Sequence, residues 1–185
     1  TTRPQKKENC TKSYNQIPKS LKILTKAENT YFYYLCSTAI DGGTTGSYIY
    51  KRKKEINKIL DQLIEKGVNP QNIFLTGFSA GGWTSLMMMD EVEKKFNSAI
   101  VFAPAFAGRR SETNKYPHWR KVERPRQVKK MTEVKAVKAL IFAYEDDAFN
   151  RPEELNFLKE KYPDTVDLVG YKCGKGHNTA HNDCK

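Results

Sequence analysis

The sequence predicts an α/β fold in which a mainly parallel sheet carries helices on both faces. Short apolar segments alternate along the chain with longer amphipathic ones, as in folds built from repeated strand–helix units. Several of the apolar segments are continuous runs without polar alternation, which is typical of parallel strands buried on both faces. The chain has 185 residues, a length that suits one domain with a substantial core. We therefore expect a single domain over residues 1–185.

The first third of the chain is predicted to contain two helices and one strand. Residues 1–15 are polar without periodicity and are interpreted as a loop. A helix is predicted at 17–27, and the aromatic run at 31–37 is interpreted as a buried strand. Isoleucines and leucines recur on one face of residues 48–66, which predicts an amphipathic helix that ends at Gly67.

The rest of the chain is predicted to alternate strands with helices. The segment 104–130 has little regular pattern and contains three prolines, so we interpret it as an irregular cap or cleft wall. The predicted strands are 73–76, 99–103, 139–144 and 166–171, and the predicted helices are 80–96 and 152–162.

The charge of the chain is strongly basic, with 32 Lys and Arg against 21 Asp and Glu and a formal net charge of +11. The basic residues are scattered, and their densest run, at 51–54, begins a predicted helix where it can face water. Basic residues interleaved with aromatic ones, as in nucleic-acid platforms, are lacking, so a nucleic-acid partner is not expected. No apolar run is long enough for a membrane-spanning helix. The sequence leaves the oligomeric state open.

Four cysteines suggest a disulfide framework. They are Cys10, Cys36, Cys173 and Cys184, and no two of them form a CxxC pair. The preferred pairing is Cys10–Cys36 and Cys173–Cys184, which favours a periplasmic or secreted location; reduced cysteines in a cytoplasmic protein are the alternative. The chain begins with Thr1 rather than Met, which we interpret as a processed or trimmed product.

The strongest chemical signal is Gly-Phe-Ser-Ala-Gly at residues 77–81, between a predicted strand and a predicted helix. A nucleophile in this context sits on a tight, strained turn, and glycines at 77 and 81 are expected to let the helix pass close to the strand. Ser79 is therefore the candidate nucleophile. Its place at a helix N-terminus favours developing negative charge, and the N–H of Ala80 is the candidate oxyanion donor.

A serine hydroxyl needs a base, and the base needs an acid that orients it. Among the three histidines, His177 is preferred because it follows the last predicted strand, while His181 and His118 remain alternatives. Asp147 is the preferred acid because it follows the strand at 139–144, and Asp146 is the alternative. The carboxyl ends of parallel strands share one edge of the sheet, so these side chains are expected to meet there.

The order Ser79, Asp147, His177, with the nucleophile on a strand–turn–helix, resembles the α/β-hydrolase superfamily. The segments 67–82 and 144–149 are similar to the dienelactone-hydrolase branch and to the polyhydroxybutyrate-depolymerase or feruloyl-esterase branch. Members of these branches often carry Gly-x-x-Asp-Pro-Phe at the acid, whereas this chain has Tyr144 in place of the glycine. They also have an earlier strand ending in His-Gly that supplies a second oxyanion donor. Since this chain lacks that motif, we expect a fragment of a longer precursor or a reduced sheet.

The resemblance implies a serine hydrolase that cleaves carboxylic esters through an acyl-enzyme, with a small-molecule ester as its partner and no cofactor. A serine peptidase and a non-catalytic binding protein on the same scaffold are the alternatives. Trp83 and Trp119 are candidates to line the substrate pocket, with ordinary core packing as the alternative. Arg109 is a candidate to bind a substrate carboxylate, with a solvated surface position as the alternative. No metal site is expected, because the histidines and carboxylates lack ligand spacing.

Overall fold

The structure is a computed structural model whose first described residue, Leu21, lies within the first predicted helix. The predicted loop at 1–15 and almost all of the predicted helix at 17–27 lie outside the described residues. The structure describes residues 21, 26, 29–35, 37 and 48–182.

A parallel sheet of four strands forms the centre of the described fold. The strands are paired in chain order, each to the next. All of their carboxyl ends therefore lie along one edge, which is the edge at which parallel α/β sheets hold their chemistry. The strands are β1 (Phe74–Phe78), β2 (Ser98–Phe102), β3 (Ala139–Tyr144) and β4 (Val166–Tyr171).

The helices connect these strands and precede them. Short 3₁₀ turns extend the connections, and a π-helix at Trp119–Glu123 leads directly into the third α-helix. The α-helices are α1 (Tyr48–Glu65), α2 (Ala80–Leu86), α3 (Arg124–Thr132) and α4 (Asn156–Lys161).

Two apolar clusters lie on the two faces of the sheet. Side chains of a strand point alternately to opposite faces, so Val101 and Ile141 join the cluster under the helices, while Phe102 and Tyr144 join the other. The larger cluster holds the buried apolar residues of all four helices. The smaller one includes Leu21, a helical residue within the predicted helix at 17–27.

Several elements confirm the sequence predictions. The strands predicted at 139–144 and 166–171 have the observed bounds of β3 and β4. The helix predicted at 48–66 is α1, although its basic run does not simply face water. Arg52 is only 7% exposed, and its guanidinium lies over the ring of Tyr48, 4.5 Å from the centroid. Of the described residues, no helix is both long and apolar enough to span a bilayer.

The strand predicted at 31–37 is wrong for its described residues, none of which is in a strand. Tyr31 and Tyr33 are 98% and 61% exposed, while Phe32 and Tyr34 pack against the smaller cluster. Aromatic content suggested a strand buried on both faces, but here only alternate side chains reach the core.

The helix predicted at 80–96 is also wrong beyond Leu86, where α2 ends. The apolar residues after it are nevertheless buried in the core, with Val92 at 6% and Phe96 at 0% exposure. Strand β1 has five residues and spans about 13 Å. A helix of 17 residues would run back about 25 Å and overshoot the start of β2. The chain turns instead, and the N–H of Glu93 donates to the Phe96 carbonyl at 2.8 Å.

The segment 104–130, predicted to be irregular, becomes helical in its second half, through the π-helix and α3. Its buried face follows a spacing of four residues: Trp119, Glu123, Gln127 and Met131 are all 5% exposed or less. Because two of these are polar, the face lacks the apolar period that predicts a helix. Pro125 lies at the start of α3, where its missing N–H costs little.

Candidate active site

The candidate nucleophile lies at the junction of β1 and α2, with the backbone strain expected of a sharp turn. Ser79 has φ 54° and ψ −123°, a backbone conformation that residues other than glycine rarely adopt. Backbone hydrogen bonds hold it there: its N–H donates to the Phe102 carbonyl at 3.0 Å, and its carbonyl accepts from the Ala105 N–H at 3.2 Å. The turn therefore depends on its pairing with the neighbouring strand β2.

Two glycines allow this turn: Gly77, which was predicted, and Gly82, which was not. A Cβ at Gly77 would lie 2.4 Å from the carbonyl carbon of Gly81, so only glycine fits there. A Cβ at Gly81 would meet nothing within 4 Å, which corrects its predicted role. The second close approach is at Gly82, where a Cβ would lie 3.1 Å from the Gly77 carbonyl oxygen and 3.3 Å from Pro104.

The structure brings together the three residues that the sequence predicted as a triad. Nε2 of His177 lies 2.8 Å from Oγ of Ser79, and Nδ1 of the same ring lies 2.8 Å from Oδ2 of Asp147. The imidazole thus contacts the hydroxyl with one nitrogen and the carboxylate with the other. In this arrangement the carboxylate fixes the tautomer that leaves Nε2 free to accept the serine proton.

Asp147 is fully buried, at 0% exposure, and both of its oxygens have partners. Its Oδ1 accepts the backbone N–H of Phe149 at 2.6 Å, while Oδ2 faces His177. A buried carboxylate is costly unless it is paired and hydrogen-bonded, and these contacts meet that requirement. The alternative acid, Asp146, does not contact the imidazole; its Oδ2 accepts the N–H of Gly176 instead.

Aromatic rings enclose the imidazole of His177. The rings of Phe149 and Phe78 lie 4.5 Å and 5.0 Å from it between centroids. The alternative base His181 packs edge-on against Phe78 at 4.6 Å, and His118 is an exposed helical residue immediately before the π-helix. His177 is thus the histidine that reaches Ser79, and its side chain retains 15% exposure toward the site.

The candidate oxyanion donor directly follows the candidate nucleophile. Ala80 is the first residue of α2, and an amide at this position has no acceptor within its own helix. The Ala105 amide, by contrast, already donates to Ser79. The free end of α2 therefore presents a donor and a positive partial charge beside the hydroxyl, although a helix of only seven residues contributes a modest dipole.

Residues 23–123, more than half of the chain, match the model of the phospholipase/carboxylesterase family. The chain belongs to this family. A similar curated protein is a "Probable carboxylesterase SOBER1-like" of Arabidopsis thaliana, with 31% identity over 70 residues. That match covers 38% of this chain and 27% of the relative, so the chain spans about a quarter of the curated protein it matches.

Solved structures place this family member among proteins of the same fold. Arabidopsis thaliana SOBER1 has a TM-score of 0.49 with 25% identity, over 74% of this chain and 60% of that one. A monoacylglycerol lipase of Paleococcus ferrophilus has a TM-score of 0.52 with 15% identity, over 70% of this chain and 66% of that one. Together with the family match, the fold confirms the predicted resemblance to α/β hydrolases.

The substrate-binding candidates of this phospholipase/carboxylesterase family member need correction. Trp83 and Trp119 are 0% and 2% exposed, and their rings pack edge-on in the core with centroids 5.8 Å apart. Large indole rings bury much apolar area, and here that area faces other side chains rather than an open cleft. Arg109 is exposed, and its carbonyl accepts the guanidinium of Arg120 at 2.6 Å. Its role toward a substrate stays a prediction.

A buried polar network behind Ser79 escaped the sequence analysis. The Trp83 indole N–H donates to Gln127 at 2.6 Å, Gln127 donates to Glu123 at 3.1 Å, and the Tyr50 hydroxyl donates to the same carboxylate. Burial, together with the bond to Glu123, raises the pKa of Tyr50 to about 12. The spacing of four between Glu123 and Gln127 was the available signal. This network ties α1, α2 and α3 together.

Tyr144 is a further buried ionisable group, at the end of β3. Burial, with a smaller contribution from Tyr171, raises the pKa of Tyr144, whose ring packs edge-on against Tyr171 with centroids 5.2 Å apart. Within the described residues, no cluster of three or more His, Cys, Asp or Glu side chains could hold a metal ion.

Cys173 is disulfide-bonded, whereas Cys10, Cys36 and Cys184 lie outside the described part, so the predicted pairing stays a prediction.

Proposed function

We propose that this protein is a serine hydrolase that cleaves carboxylic esters of small molecules. The observation that carries the proposal is the pair of 2.8 Å contacts that link Ser79 to His177 and His177 to Asp147. Membership of the phospholipase/carboxylesterase family supports the substrate class. The name of the curated relative, a carboxylesterase, points the same way.

In the proposed reaction, Oγ of Ser79 attacks the ester carbonyl carbon while its proton passes to Nε2 of His177. The imidazolium that forms is stabilised by the buried carboxylate of Asp147. The tetrahedral intermediate collapses when the bond to the leaving oxygen breaks, and His177 gives its proton to that oxygen. Water then attacks the acyl-enzyme with His177 as base, which releases the acid and restores Ser79.

The negative oxygen of the intermediate needs hydrogen-bond donors. The Ala80 N–H supplies one at the start of α2, beside the attacking oxygen. Losing a single donor costs about 2.7–4 kcal/mol of transition-state stabilisation in hydrolases of this kind. A second donor, in addition to Ala80, is therefore expected to raise the rate strongly.

The test is covalent labelling together with ester turnover. The protein is incubated with a fluorophosphonate probe and, separately, with a short-chain aryl ester. We expect labelling and turnover that disappear in Ser79→Ala. The matched control is Ser111→Ala, which removes an exposed hydroxyl from a turn and is expected to change neither measurement.

Two outcomes would replace the proposal. A folded protein that is not labelled but retains an apolar ester would be a binding protein on a hydrolase scaffold. Labelling with rapid cleavage of amides and no preference for esters would indicate a peptidase, because the same three groups serve both reactions. Labelling that persists in Ser79→Ala would assign the nucleophile to another residue.

We also propose a periplasmic or secreted location, since the disulfide at Cys173 is of the kind that persists in oxidising compartments. The test is a free-thiol count on the native protein, followed by mass mapping of its linked peptides. A Cys173–Cys184 peptide is the expected product. Four free thiols in the freshly isolated protein would contradict the proposal.

A further inference from the structure

The carboxylate next to the proposed catalytic acid contacts the loop that carries the proposed base. Oδ2 of Asp146 accepts the backbone N–H of Gly176 at 2.9 Å, across 30 residues of sequence. Oδ1 of the same side chain is buried and has no partner within the described residues. A buried oxygen without a partner is unfavourable for stability, so we look for a role of the half-buried Asp146 other than folding.

The residue whose backbone N–H Asp146 accepts, Gly176, immediately precedes His177. The carbonyl of Gly176 is held as well, because Oγ1 of Thr179 donates to it at 2.7 Å. Thr179 is only 1% exposed, so this second contact is anchored in the core. The Gly176 residue is thus fixed from both sides, and with it the starting point of the His177 side chain.

The two loops also touch through their backbones. Gly176 has φ +52°, and a Cβ built on it would lie 3.1 Å from the carbonyl oxygen of Asp146. The loop that bears His177 therefore sits directly on the loop that bears Asp146 and Asp147. A shift of one loop changes the position of the imidazole relative to both Asp147 and Ser79.

We propose that Asp146 is a positioning residue that holds the His177 loop in register with the nucleophile. The inference rests on the proposed function of the same site. The two neighbouring carboxylates divide the work: Asp147 orients the imidazole ring, and Asp146 orients the backbone that carries it. A hydrogen bond from an N–H to a carboxylate is shorter and stronger than one between neutral groups. Such a bond can therefore hold in place a loop whose glycine would otherwise give the backbone more freedom.

The test compares Asp146→Ala with Asp146→Asn in ester turnover. Asparagine keeps an oxygen that accepts the Gly176 N–H, whereas alanine removes it. We expect Asp146→Ala to lower kcat by about 10- to 100-fold, the scale of an ångström-sized misplacement, with KM within about twofold. Asp146→Asn is expected to recover most of that loss. Glu145→Ala is the control, because it removes an exposed carboxylate from the same loop.

Three results would overturn the inference. One is an Asp146→Ala protein with the kcat of the wild type. Another is equal loss in Asp146→Asn and Asp146→Ala, which would mean that charge rather than the hydrogen bond matters. A change in KM at constant kcat would likewise contradict a positioning role. Wild-type protein without any turnover would refute the proposed function instead.

Amide hydrogen exchange tests the hydrogen bond between Gly176 and Asp146 without relying on activity. The Gly176 N–H is expected to exchange at least about tenfold faster in Asp146→Ala than in the wild type, because its acceptor is gone. Its exchange in Glu145→Ala is expected to match the wild type. Equal protection of Gly176 in all three proteins would overturn the inference even if the protein proved inactive.

Discussion

Gly77 and Gly81 are in such close contact that a Cβ on Gly77 would lie 2.4 Å from the Gly81 carbonyl carbon. The reverse is not true, since a Cβ on Gly81 would meet nothing within 4 Å. The two glycines of one motif therefore have unequal roles. Gly77 allows α2 to begin directly behind β1, and Gly81 is one of the helix residues that occupies the space so created.

Gly77→Ala is expected to destabilise the protein severely, because the clash is with backbone atoms that cannot move without displacing α2. We expect a loss of about 3 kcal/mol or more in the free energy of unfolding, or failure to fold. Gly81→Ala is the control and is expected to be neutral or slightly stabilising, since alanine favours helix. Urea unfolding measures both, and equal stability of the two variants would contradict the asymmetry.

Asp147→Asn is expected to preserve the fold while removing most of the turnover. An amide can still accept the Phe149 N–H, but it cannot stabilise the imidazolium of His177 and favours the wrong tautomer. In a comparable triad this substitution lowers kcat by about 10⁴-fold. Ester turnover and the melting temperature are measured together. Asp164→Asn, at an exposed turn, is the control, and kcat in Asp147→Asn within tenfold of that control would argue against the assigned role.

Much of the fold could be predicted where continuous apolar runs form buried parallel strands, as in β3 and β4. The run at 31–37 has similar composition, yet its exposed tyrosines show that composition alone does not say what covers a face. The length of α2 could not be predicted from the sequence either. It is set by the distance back to the start of β2, which is a property of the sheet rather than of residues 80–96.

The candidate site was predictable to the extent that strand ends were. Ser79 and Asp147 follow strands at one sheet edge, and His177 follows the last strand, so convergence could be expected from topology. The choice between Asp146 and Asp147 rested on spacing, and only coordinates reveal that both carboxylates have partners. The polar partner of Trp83 could not be foreseen either, because Gln127 lies in a segment without an apolar period.

The buried network behind Ser79 predicts a specific loss of stability. Gln127→Ala leaves the Trp83 N–H without its acceptor and removes one donor from the buried Glu123, which also binds Tyr50. An unsatisfied buried group costs about 1–3 kcal/mol, and the loss of packing adds to this. Gln62→Ala, on the exposed face of α1, is the matched control and should cost far less. Urea unfolding measures the loss of free energy of unfolding in each variant. Similar losses in Gln127→Ala and Gln62→Ala would refute the contribution of the network to stability.

Stability is expected to fall at alkaline pH because of two tyrosines. Burial raises the pKa of Tyr48 to about 12, and burial together with Glu123 raises the pKa of Tyr50 to about 12. In the unfolded chain the pKa of a tyrosine is about 10, so the folded state binds these two protons more tightly. The difference in proton binding stabilises the fold fully below about pH 10, and this stabilisation is lost toward pH 12. Urea unfolding across that window should therefore give a falling free energy, with a shallower slope in Tyr48→Phe. Tyr31→Phe, which removes a 98% exposed phenol, should keep the wild-type slope. An equal slope in Tyr48→Phe and Tyr31→Phe would show that the buried phenol does not contribute.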